Sequence, residues 1–69
     1  MSRKDTLFEI KEKAVLVKDQ WEIDDFLVDD LDAAEERIRE RIADGVADRR
    51  ITKEEADEYD RQMKAALDS

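Results

Sequence analysis

The residues in this chain best placed to do chemistry are carboxylates. Asp19, Glu22, Asp24, Asp25, Asp29, Asp30, Asp32, Glu35 and Glu36 stand between residues 19 and 36, with no lysine, arginine or histidine among them. That segment carries a net charge of −9, against +2 for residues 1–18 and −1 for residues 37–69, so it dominates the formal charge of −8. Glu22, Asp25, Asp29, Asp32, Glu36 and Glu40 follow one another at spacings of three and four, which on a helix puts them on one face. An ordinary solvated helix intersperses signs to gain i,i+4 pairs and limit self-repulsion. An unbroken acidic row therefore has two readings. It is a solvated face that keeps a small protein soluble, or a surface that meets a basic partner and speeds its association.

Other chemistry has little to work with. General acid-base catalysis most often uses histidine, and nucleophilic catalysis uses Ser, Cys, Thr or Lys beside a base. The chain has no histidine and no cysteine, and its aliphatic hydroxyls are Ser2, Thr6, Thr52 and Ser69. The serines are terminal and the threonines read as helix caps. Carboxylate pairs are abundant, but splitting their pKa values needs a cavity that a small helical scaffold does not offer. We expect no catalytic residues, no cofactor and no metal. The stretch Asp44 to Glu55 resembles an EF-hand loop, with Asp44, Asp48, Ile51 and Glu55 at the first, fifth, eighth and twelfth positions. Val46 stands where an oxygen ligand is needed and Arg49 where the turn calls for glycine, so calcium is not expected. Arg37, Arg39, Arg41, Arg49 and Arg50 are outnumbered by nearby acids and lack interleaved aromatics, which argues against direct nucleic-acid binding.

The elements that must carry the acidic row are read as helices. There is no proline and a single glycine, and the Ala, Leu, Glu, Lys and Arg content favours helix. A first helix is expected to open at Thr6, with Glu9 completing a capping box and Leu7, Ile10, Ala14, Val17 and Trp21 along it. The alternation of Phe8/Ile10 and Val15/Val17 keeps a β-hairpin open for this N-terminal segment. A second helix carries Ile23, Leu27, Leu31, Ala34, Ile38 and Ile42 on one face, widened by Phe26 and Val28, and is expected to stop at Gly45. Its start falls near Asp19 with Glu22, or at Asp24. The two apolar stripes are centred roughly 115° apart at 100° per residue, so a break near residues 18–22 is needed for both to share a core. A third helix has a strong start: Ile51 precedes Thr52, with Glu55 and Ala56 placed for a capping box and hydrophobic staple. Ala56, Tyr59, Met63, Ala66 and Leu67 form its seam.

Ile51-Thr52-Lys53-Glu54-Glu55 also resembles the turn of the short C-terminal helical hairpins known as SHOCT domains. Arg50 stands where those carry glycine and Ala56 where an aromatic is usual. The resemblance is confined to this turn and implies a helical hairpin, with nothing about function.

The expected architecture is thus an all-α, three-helix domain spanning residues 1–69, a helical hairpin plus an N-terminal helix. A chain of 69 residues buries only about 60% of the surface its unfolded form exposes, and no disulfide or zinc site is available to staple it. The apolar face of the second helix spans roughly 200°, wider than the stripe of about 100° that a surface helix needs. A homodimer is therefore expected, with Leu7, Ile10, Val17, Trp21 and Phe26 as subunit or hot-spot contacts. The expected function is non-catalytic: an inhibitor or adaptor whose acidic face (Glu22, Asp25, Asp29, Asp32, Glu36) meets a basic protein surface.

Its sharpest form is a nucleic-acid mimic that blocks a DNA- or RNA-binding protein, since small phage-encoded inhibitors are similar in composition. One such row repeats about every 5 Å, sparser than the 3.4 Å or so of a phosphate strand, so two rows in a dimer would be needed. The alternative is a structural subunit of a helical homo-oligomer with the acids present for solubility. The N-terminus has no apolar run of a signal peptide and no stretch is long enough to span a membrane, so a cytoplasmic location without membrane contact is expected.

Overall fold

A computed structural model describes residues 2–67, which form four helices: α1 (Arg3–Ala14), α2 (Val17–Asp29), α3 (Leu31–Ala47) and α4 (Lys53–Leu67). No strand occurs among the described residues. The first helix begins a turn earlier than expected. The Ser2 hydroxyl accepts a hydrogen bond from the Asp5 N–H at 3.2 Å, and the Asp5 carboxylate accepts from the Ser2 N–H at 3.5 Å. This is the same reciprocal box that Thr6 and Glu9 promised, but Thr6 already donates its N–H to the Ser2 carbonyl inside the helix.

The break between the first two helices falls at Val15 and Leu16 rather than at residues 18–22. Both adopt extended backbone, at φ −105°, ψ 136° and φ −62°, ψ 144°. Those two residues are all that remains of the β-hairpin alternative. Extension turns Val15 into the core, where it is buried, so side-chain burial outweighs the local tendency to continue the helix. Neither Asp19 nor Asp24 caps α2. Leu16 holds the N-cap position without a side-chain bond, and the Gln20 amide closes the turn on the Val15 carbonyl at 3.2 Å.

The long second helix expected to run from a start near Asp19 or Asp24 to Gly45 is two helices. Asp30 ends α2 and begins α3: its N–H donates to the Phe26 carbonyl, and its carboxylate accepts from the Asp32 and Ala33 N–H groups at 3.1 and 3.2 Å. Aspartate is a weak helix former and a strong N-cap, a difference of about 1 kcal/mol. Leu27, Leu31 and Ala34 keep their spacing of four and three across it, so the apolar pattern conceals the break.

Gly45 does not stop α3, which runs two residues further. The left-handed residue is Arg49, at φ 64°. The Arg50 N–H donates to the Gly45 carbonyl at 2.8 Å and the Arg49 N–H to Val46 at 3.1 Å, the Schellman closure of a helix end. The α4 start is as expected, with Thr52 and Glu55 bonded reciprocally at 3.1 Å.

α1 and α3 lie at the centre and touch each other and both remaining helices, whereas α2 and α4 flank them and do not meet. The core comprises Leu7, Ile10, Ala14, Val15, Ile23, Leu27, Ala34, Ile38, Ile42, Ile51 and Met63, with Phe26, Leu31, Val46, Ala56 and Tyr59 packed against it. The radius of gyration, 11.1 Å, matches the value of about 11 Å expected of a folded chain of this length. Among the described residues no helix is long and apolar enough to cross a membrane.

Candidate protein-binding face

Two ion-pair systems set the electrostatics, and both depend on α3. On the α2 side, Glu22 accepts from Arg37 at 3.3 Å and from Arg41 at 3.1 Å, and Arg41 also reaches Asp19 at 3.6 Å. On the other flank Arg3 of α1 lies 2.7 Å from Asp32 and 3.6 Å from Glu35. Glu35 continues to Arg39 at 3.7 Å, Arg39 pairs with Asp60 of α4, and Asp60 meets Lys64 at 3.0 Å. The arginines at 37, 39 and 41 alternate between the two flanks, Arg37 and Arg41 toward α2 and Arg39 toward α4, holding both flanking helices to α3. The guanidinium of Arg39 and the ammonium of Lys64 beside Asp60 hold its carboxyl below the usual carboxylate range.

These pairs redraw the acidic row. Asp30 separates Glu22, Asp25 and Asp29 on α2 from Asp32 and Glu36 on α3, and Asp32 turns to the flank that faces α1. Glu22 and Asp32 are each engaged by arginine. Asp25, Asp29 and Glu36 are exposed and have no ion-pair partner among the described residues. Two of those three lie on α2.

The hydrophobic candidates divide sharply. Leu7 and Ile10 are fully inside the core, and Phe26 is half-buried against it with the Arg37 guanidinium 5.6 Å from its ring. Val17 and Trp21 instead point outward from α2, 76% and 78% exposed. Val28 joins them at 75%. Spacings of four and seven residues from Val17 to Trp21 to Val28 align them along one side of the helix. Sequence reading missed Val28 because it placed Val17 and Trp21 on one helix and Val28 on the next. The signal emerges only when α2 is known to start at Val17. The face is bare because α4 lies on the far side of the molecule from α2.

A second missed residue shapes the edge of this face. Lys11 is only 2% exposed. Its ammonium pairs with Asp24 of α2 and lies 3.4 Å from Glu12, with the Phe8 ring centroid 4.4 Å away. Asp24 is three residues after Trp21 and four before Val28, so the pair sits directly beside the outward stripe and joins it to α1. No sequence signal distinguishes Lys11 from the solvated lysines around it, because its burial depends on how α1 and α2 close.

Elsewhere, an apolar groove of about 380 Å³ runs between α3 and α4, lined chiefly by Ile42, Ala43, Val46, Ala56 and Met63. Among the described residues no group of three or more acidic, histidine or cysteine side chains is placed to hold a metal ion. Comparison with protein families, with curated proteins and with solved structures finds no match for this chain.

Proposed function

We propose that this chain is a non-catalytic interaction module that binds a protein partner with a basic surface on the outward face of α2, acting as an inhibitor or adaptor. The observation that carries this reading is the juxtaposition of three-quarters-exposed Val17, Trp21 and Val28 with the unpaired carboxylates Asp25 and Asp29. Exposed tryptophan beside charge is the composition of a binding hot spot, and carboxylates without internal partners remain free to pair with an incoming cation. A partner whose basic surface otherwise holds nucleic acid would make the chain a mimic. Competition with duplex DNA for the same partner tests that form.

A homo-oligomeric subunit is the second reading, favoured by the same uncovered Val17, Trp21 and Val28. Against it, a second copy would offer Asp25 and Asp29 only Lys18 as a cation on this side of α2, so acids would outnumber bases at the contact.

Titration with poly-L-lysine, followed by the fluorescence of the single tryptophan at low and high salt, tests the proposal. The Asp25→Lys/Asp29→Lys variant should lose binding, whereas Glu54→Lys/Asp57→Lys on α4, with the same change in charge, should retain it. Equal loss in both variants would mean that the acidity serves solubility alone. Light scattering that found a dimer tightened by Asp25→Lys/Asp29→Lys would favour the subunit reading.

A further inference from the structure

We infer that the occupant of the α2 face is a basic amphipathic helix of the partner, laid along Val17, Trp21 and Val28 with its cations directed to Asp25 and Asp29. This rests on the acidic-face reading above and specifies the shape of what is bound. From Val17 to Val28 the stripe is about 16 Å long at 1.5 Å per residue, three helical turns, enough to align with an equal length of another helix. Val17, Trp21, Asp25 and Asp29 form a row at a spacing of four, a ridge beside which the ridge of a second helix can lie in a groove. There is no strand among the described residues whose edge an extended peptide could join.

The charges further narrow the occupant. Asp25 and Asp29 lie on one side of the stripe and are unpaired, while Asp24 on the other side is already engaged by the buried Lys11. The free negative charge is therefore one-sided. A helix with apolar residues at three-and-four spacing and Lys or Arg along one flank satisfies both parts at once. A second copy of α2 would satisfy the apolar part but would offer the two acids only Lys18 as a cation on this side of the helix. A flexible basic tail would satisfy the acids and leave Trp21 and Val28 in water.

The test uses the full chain and two synthetic Leu/Lys peptides of roughly 15 residues or more, long enough for helix to form. One has leucines at helical spacing and the other has the same composition in scrambled order. Isothermal titration calorimetry reads binding, since it does not depend on Trp21. The amphipathic peptide should bind about ten-fold tighter than the scramble. Trp21→Ala and Val28→Ala should each remove most of that advantage, and Asp25→Lys/Asp29→Lys should abolish binding. If both peptides bind equally and Asp25→Lys/Asp29→Lys still abolishes it, the helix inference is overturned and the acidic-face reading stands. If Asp25→Lys/Asp29→Lys binds no worse than Glu54→Lys/Asp57→Lys, both are overturned. Self-association that excludes either peptide would make a second copy the occupant and likewise overturn the inference.

Discussion

Ile51 fills the space that a side chain on Gly45 would need. A Cβ built on Gly45 would lie 2.5 Å from Ile51 Cδ1 and 2.9 Å from its Cγ1. Glycine is therefore present inside α3 for close packing of the turn that follows, while the left-handed conformation falls to Arg49.

Gly45→Ala sets a helix-propensity gain of about 1 kcal/mol against overpacking of about 1–3 kcal/mol. Net destabilisation is expected because Ile51 is buried. In an Ile51→Ala background the same change should stabilise, because the obstruction is gone. Chemical denaturation of the four proteins in the cycle checks this, and a stabilising Gly45→Ala with Ile51 in place would refute the packing role.

Arg49 occupies the left-handed region at φ 64°, where a side chain costs about 1–2 kcal/mol. Glycine avoids that cost and loses about 0.5–1 kcal/mol through its freer unfolded state. Arg49→Gly should therefore stabilise by about 0.5–1 kcal/mol, a rise in Tm of roughly 2–8 °C for a domain of this size. A fall in Tm on thermal unfolding would count against the assigned turn.

Lys11 and Asp24 should respond unequally to removal. Lys11→Met retains an apolar stem and leaves Asp24, half-exposed, to be hydrated, so its effect should be small. Asp24→Ala leaves Lys11, whose side chain is 2% exposed, with Glu12 as its remaining carboxylate, and should cost about 3 kcal/mol. Urea midpoints compare the two. Equal losses would show that Lys11 is not held inside by this pair.

Asp60 predicts a specific acid dependence. Arg39 and Lys64 hold its carboxyl below the ordinary range, so the folded state gives up this proton more readily than the unfolded state does. The resulting stability is complete above the unfolded pKa of about 4 and disappears as pH falls through the lowered folded value. Asp60→Asn should be less stable than wild type at neutral pH, with the gap closing below about pH 4. A gap that remained constant over pH 2–7 by thermal unfolding would remove Asp60 from the acid response.

Helical class, the Thr52–Glu55 cap and the core positions Ile23, Leu27, Ala34, Ile38, Ile42 and Met63 were legible in the amino-acid order, because capping and 3.6-residue periodicity are local properties. The other helix ends were not. Asp30 breaks a stripe whose periodicity continues through it, Val15 and Leu16 break a helix without glycine or proline, and Arg49 takes a conformation usually left to glycine. Each depends on burial or hydrogen bonding that local order does not encode.

The candidate face divides in the same way. Sequence alone determined that acids crowd residues 19–36 and that the single tryptophan stands among them at position 21. Tertiary structure decided which acids remain free. Arg37 and Arg41 engage Glu22, Arg3 engages Asp32, and Lys11 engages Asp24, all across helix boundaries. Tertiary structure also separated Leu7 and Ile10, which entered the core, from Val17 and Trp21, which did not. The physical reason is that charge and hydrophobicity are properties of residues, whereas pairing and exposure are properties of neighbours. Only the packing of α1 and α3 at the centre determines which side of α2 has none.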